Sequence, residues 1–106
     1  MDNVHTGDTA DEIAVAVVQA LARGEATKAL SLIQKLEPLI EGRVPLQART
    51  AAWSAQAHQI LGDLDGALEC IRTAIALAQQ ANDLRRRMEE SRRMIYGDNG
   101  RPNYLV

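Results

Sequence analysis

The sequence predicts an all-α domain of antiparallel helical hairpins, stacked as about two and a half repeats and comprising five helices. Three observations lead there. Apolar residues recur at three- and four-residue steps along most of the chain, and no stretch shows the strict alternation of a half-buried strand. The 106 residues include 17 alanines but only one Trp, two Tyr and no Phe, so the core must be built from small aliphatic contacts between closely approaching helices. Self-comparison at an offset of 38 superposes Gly24 on Gly62, Glu25 on Asp63, Ala29 on Ala67, Leu30 on Leu68 and Ile33 on Ile71. A period of this size indicates stacked helical pairs, each unable to bury its apolar face alone.

Thr9 and Glu12 have the spacing of a capping box, which predicts a first helix from about Ala10 to Ala22. Ile13, Val17, Ala20 and Leu21 mark one face, while Val15 and Val18 make the helix apolar most of the way round. Arg23-Gly24-Glu25 breaks the chain, and Ala26, Ala29, Leu30, Ile33, Leu36 and Ile40 define a second helix. Pro38 removes a backbone donor and disfavours helical geometry at Glu37, so this helix either kinks or stops there.

Glu41-Gly42-Arg43-Val44-Pro45 is a connector, in which Pro45 sits where a first-turn proline would open helix three, whose stripe is Leu46, Thr50, Trp53, Ala57 and Ile60. Gly62 ends it. Asp65 is the expected N-cap of helix four, which carries Ala67, Leu68, Ile71, Ala74, Ile75 and Ala78. Asn82 or Asp83 is expected to cap a fifth helix through Tyr96, with Leu84, Met88, Met94 and Ile95 among five arginines. An offset of 35 lays Ile60-Leu61-Gly62-Asp63 on Ile95-Tyr96-Gly97-Asp98, as if a third unit ended after its first helix. The expected organisation is a flexible segment 1–8, one helical domain 9–97, and a tail 98–106 whose last residues, Tyr104 to Val106, are apolar.

Composition narrows the function classes. Hydrophobic residues make up 46% and charged residues 25% of the chain, which excludes wholesale disorder, and the length excludes a two-domain enzyme. The formal net charge is −2, no general invitation to nucleic acid or an anionic membrane. Residues 1–83 carry 6 basic and 11 acidic side chains, whereas 84–106 carry 6 basic and 3 acidic, so the two parts differ in sign. Cys70 is the single cysteine, which excludes an intrachain disulfide. With no signal-like N-terminus and no bilayer-length apolar run, the expectation is a soluble, cytoplasmic protein.

The stretch Leu61-Gly62-Asp63-Leu64-Asp65-Gly66-Ala67-Leu68, with Ala55 before it and Ala74 after it, resembles the tetratricopeptide repeat family. Val17, Gly24-Glu25 and Ala29 match in the first unit, where Leu36 replaces the later Ala, and the resemblance covers residues 10–97. The 38-residue spacing, longer than the usual ~34, is more like the variants found in bacterial signalling and regulatory proteins. The family usually has a large aromatic where Ala51 stands and a Tyr where His58 stands. The resemblance implies a non-catalytic interaction module, an adaptor, scaffold or regulatory subunit whose first helices line a concave face. Ala14, Val18, Leu21, Ala52, Trp53 and Gln56 would form that face. The carboxylate-clamping Lys, Asn and Arg of chaperone-binding members are replaced by Ala14, Val18 and Trp53, so the expected ligand is an apolar helix or extended peptide of another protein.

Each candidate residue also has a plainer reading. Trp53 either anchors a partner or stacks as core with Leu46 and Ile60. Ala57-His58-Gln59-Ile60-Leu61-Gly62 resembles the centre of histidine phosphotransfer domains, but Leu61 stands where that family has the Lys that neutralises the phosphoryl group. His58 packed in place of a Tyr is the alternative. Arg85, Arg86, Arg87, Arg92 and Arg93 are either an RNA or acidic-partner patch or a solvated cap, salt-bridged through Glu89 to Arg93, Arg85 to Glu89 and Arg86 to Glu90. The patch lacks interleaved aromatics, and nucleic acid is disfavoured. His5, His58 and Cys70 share no ligand spacing, and no nucleophile, base and orienting group can be assembled, so neither metal, cofactor nor catalysis is expected. Two and a half units leave apolar faces over, and a homodimer burying helix one or the tail is a further expectation.

Overall fold

The computed structural model describes residues 6–96, with side-chain burial for 9–95. Among these residues there are no strands. The order is α1 (Thr6–Ala22), α2 (Ala26–Leu36), a 3₁₀ turn (Glu37–Ile40), α3 (Val44–Ile60) and α4 (Leu64–Tyr96). The all-α expectation therefore holds, but there are four α-helices rather than five: the fourth and fifth expected helices are one continuous helix of 33 residues.

The reason lies in the turns. Each of the other breaks contains a glycine with positive φ, namely Gly24 at 75°, Gly42 at 83° and Gly62 at 81°. At the ends of α1 and α3 the same motif forms: the Glu25 N–H donates to the Ala20 carbonyl (2.8 Å), and the Asp63 N–H donates to the His58 carbonyl (2.8 Å). These two bonds are related by the 38-residue offset. Between Ala67 and Tyr96 there is neither Gly nor Pro, so nothing ends the helix at Asn82 or Asp83.

Other boundaries also move. Thr9 lies within the first turn of α1, which begins at Thr6, rather than ahead of the helix. Helix two stops at Leu36, and Pro38 sits in the first positions of the tighter 3₁₀ turn, which keeps Ile40 in the core. Pro45 does open α3. The cap of α4 is Asp63 instead of Asp65: its Oδ1 accepts the Gly66 N–H at 3.0 Å.

Short turns set consecutive helices antiparallel, and each helix packs against the next. One core cluster joins Val17, Ala20, Leu21, Ala26, Ala29 and Ile33 to Ala57 of α3; a second holds Ala10, Leu36 and Ile40. Ile13 and Trp53 pack against both clusters, so Trp53 bridges them. Helix α4 uses only its face of Gly66, Ala67, Cys70, Ala74, Leu77 and Ala81 for packing; its other residues through Ile95 are exposed. At 1.5 Å per residue α4 is about 50 Å long and α3 about 25 Å, so α4 runs on alone. From Asn82 to Ile95 every residue is exposed, and this segment is an arm.

Candidate functional site

Helix α4 is apolar on two sides. One side meets α3. The other carries Leu64, Leu68, Ile71 and Ile75, which stay between 42% (Ile71) and 65% (Leu64) exposed. Beside this stripe an open groove of about 800 Å³ runs between the two helices. Its α3 wall is Ala48, Arg49, Ala52, Ala55, Gln56 and Gln59; its α4 wall is Ile71, Ala74, Ile75 and Ala78. The alanines keep the floor low, and the two isoleucines form an apolar side. Large apolar side chains exposed side by side in this way are uncommon on a small globular protein.

The 38-residue offset relates part of the groove to the first helical pair. Moved by 38 residues, Ala48, Ala55 and Gln59 fall on Ala10, Val17 and Leu21, while Ile71, Ala74 and Ala78 fall on Ile33, Leu36 and Ile40. All six counterparts in the first pair are buried. They lie in the two clusters to which α3 brings Ala57, Leu46 and Trp53. The other four lining residues, Arg49, Ala52, Gln56 and Ile75, fall on Asp11, Ala14, Val18 and Glu37, of which only Ala14 is partly buried, so the correspondence covers six of the ten positions.

The expected concave-face residues are divided by this arrangement. Ala52 and Gln56 line the groove. Trp53, about 100° further round α3, points into the core instead. Leu21 is buried in the first cluster, Ala14 packs half-buried against the second, and Val18 is exposed on α1. Ala48, Ala55, Ile71, Ala74, Ile75 and Ala78 were not singled out as binding residues by the sequence. The available signal was the width of the α4 stripe: Leu64, Leu68, Ile71, Ile75 and Ala78 lie on one side, and Ala67, Cys70, Ala74 and Leu77 on another, more than one neighbouring helix covers.

His58 sits at the end of α3 with its Nδ1 3.1 Å from Asp63 Oδ2. The Asp63 carboxylate holds the α4 backbone through Oδ1, while Oδ2 lies against the imidazole, whose buried Nδ1 has no hydrogen-bond partner among the described residues. Gly66 makes room for it, since a Cβ there would collide with the Asp63 carboxylate and lie 3.0 Å from His58 Nδ1. Gly→Ala in a helix ordinarily gains about 1 kcal/mol. Here Gly66→Ala is expected to give no gain in urea midpoint, because it displaces the cap. In an Asp63→Ala background the same change should recover the gain of about 1 kcal/mol; equal gains in both backgrounds would show that the carboxylate moves aside freely.

Cys70 is half-buried, and burial first, then the negative charges of Asp63, Glu69 and Glu37, raise its thiol pKa above the ordinary value. Less thiolate is present at neutral pH, which fits a packing residue better than a nucleophile. Among the described residues no three His, Cys, Asp or Glu side chains converge as a metal site; His5 lies outside them, as does the Tyr104–Val106 tail. No described helix is long and apolar enough to cross a membrane.

The five arginines lie on the α4 arm. Arg85 donates to Asn82 Oδ1 (2.7 Å), and Arg86 is 3.8 Å from Asp83 Oδ1, so both reach back one turn rather than forward to Glu89 and Glu90. Arg87 and Arg92 flank a shallow apolar trough formed by Leu84, Met88, Ser91 and Ile95. Comparison of the chain with protein-family models, with curated proteins and with solved structures finds no match.

Proposed function

We propose that the chain is a non-catalytic protein–protein interaction module of tetratricopeptide-like helical repeats, and that its working surface is the α3–α4 groove, which takes up an amphipathic helix. The observation that supports this reading is that six of the ten groove positions have counterparts, 38 residues earlier, buried in the clusters to which α3 contributes Ala57, Leu46 and Trp53. The two turns with the same hydrogen bonds at a 38-residue offset support the repeat reading. A preformed groove of small side chains on rigid helices binds without ordering loops, so little affinity is lost to entropy. The phosphotransfer and RNA alternatives have less behind them: Leu61 stands where phosphotransfer domains carry the neutralising Lys, and Arg85 and Arg86 are engaged by their own helix.

The test is site-specific photo-crosslinking in the native lysate. A benzophenone side chain at Ala52 or Gln56 is expected to give a discrete covalent product, identified by mass spectrometry. The product should disappear when Ile71→Asp and Ile75→Asp are added, with circular dichroism unchanged, since both isoleucines are already solvent-exposed. Absence of any product from either position, or a product indifferent to the two aspartates, would remove the groove as the working surface.

A further inference from the structure

We infer that the α4 arm is a second docking surface, independent of the groove, and that its occupant is an acidic amphipathic helix of a partner protein, laid along Leu84, Met88, Ser91 and Ile95 as a short two-stranded coiled coil. Continuity with the α3–α4 interface carries the docking surface. Helix α4 packs only against α3 among the described elements, and its covered residues Ala67, Cys70, Ala74, Leu77 and Ala81 follow one another in alternating steps of three and four. Leu84, Met88, Ser91 and Ile95 continue that alternation without a break, so one seam of heptad period runs from Ala67 to Ile95. Helix α3 covers only the first part of it: α3 begins at Val44, and Pro45 in its first turn shares a recess with Ala81 and Arg85. Beyond that level the seam is bare, Met88 being 73% exposed, and it floors the trough whose rims are Arg87 and Arg92. A narrow seam of this period is the shape that another helix covers. A face made for a membrane surface is broader and rich in Trp or Phe, and residues 84–95 contain no aromatic side chain.

Charge selects the occupant. Of the four positions that flank the bare seam, three hold Arg85, Arg87 and Arg92 and the fourth holds Met94, whereas Glu89 and Glu90 lie on the far side of the helix. Arg85 donates to the neutral amide of Asn82, and Arg87 and Arg92 pair with no carboxylate among the described residues, so the charge along the rims is not neutralised by the arm itself. Two arms laid together would set arginine against arginine in either orientation: Arg87 beside the other copy's Arg92 when parallel, Arg85 beside the other copy's Arg92 when antiparallel. A helix with Asp or Glu at its own flanking positions meets these three arginines with the opposite sign. The bare seam spans eleven residue steps, about 17 Å, so the contact is small and its affinity lies at the weak, micromolar end.

The probe is a fluorescein-labelled synthetic peptide of about three heptads, with Leu at both seam positions and Glu at both flanking positions of each, titrated with the full chain by fluorescence anisotropy. Saturable one-to-one binding with a Kd of about 1–100 μM is expected. A peptide with Lys in place of each Glu, and a scrambled peptide of the acidic composition, should bind at least about tenfold more weakly. Met88→Asp should weaken the acidic peptide by about tenfold or more. Arg87→Glu combined with Arg92→Glu should reverse the preference, so that the Lys peptide binds better than the Glu peptide. Circular dichroism should be unchanged in these variants, since all three side chains are exposed. Ile75→Asp, in the groove, should leave the affinity as it is. The inference is overturned by an acidic peptide that does not bind, by equal affinities for the three peptides, or by a charge preference that does not reverse. Binding lost with Ile75→Asp but not with Met88→Asp would put the peptide in the groove, overturning this inference and leaving the groove reading intact. Binding of phosphatidylserine vesicles or single-stranded RNA in place of the acidic peptide overturns it as well, as does a two-chain mass in light scattering that Met88→Asp abolishes.

Discussion

Trp53→Ala is expected to destabilise the protein by about 2–4 kcal/mol, somewhat less than full burial would give because the indole is only partly buried. For a domain of this length that is a fall in unfolding midpoint of roughly 10–25 °C. The cost arises because Trp53 touches both core clusters, so its removal opens a space between α1, α2 and the 3₁₀ turn that alanine-rich walls cannot close. Thermal unfolding by circular dichroism measures it. A loss under about 1 kcal/mol, with crosslinking from Ala52 abolished, would instead place Trp53 on the docking face.

Leu36→Ala and Leu68→Ala make the second contrast. By periodicity both leucines belong to the apolar stripe of a second helix in a pair. Leu36 is 0% exposed between Ala10 and Ile40, and its truncation should cost about 3–4 kcal/mol. Leu68 is 50% exposed and should cost about 1 kcal/mol or less in the single chain. Urea denaturation at low protein concentration, where association does not contribute, separates the two. Similar losses would mean that Leu68 is covered in the isolated chain and that the groove side of α4 is not free.

Much of the helical architecture was legible because its signals are local. Gly24 and Gly62 can adopt positive φ at little cost, and Pro45 has no N–H to lose in a first turn, so three boundaries follow from backbone chemistry alone. The ambiguity at Pro38 was also local in origin: a missing donor permits a kink or a stop, and the burial of Ile40 beside Leu36 goes with the tight 3₁₀ turn. The expected break at Asn82 failed for a related reason. A good N-cap residue does not end the preceding helix; that requires a residue able to leave helical geometry, and none of residues 78–84 does so.

The sequence by itself determined that the chain is helical, where most helices begin and end, and that its second half echoes its first. Those properties depend on dihedral preferences and spacing, which neighbouring residues carry. The tertiary structure decided which apolar side meets which neighbour. It turned Trp53 inward, placed Ala52 and Gln56 on the groove, left Ile71 and Ile75 exposed, and set the arginines on a free arm. Periodicity shows that a side of a helix is apolar, but burial depends on whether another helix arrives to cover it. Here the last helix runs straight on, and the surface that a following helix would have covered remains open.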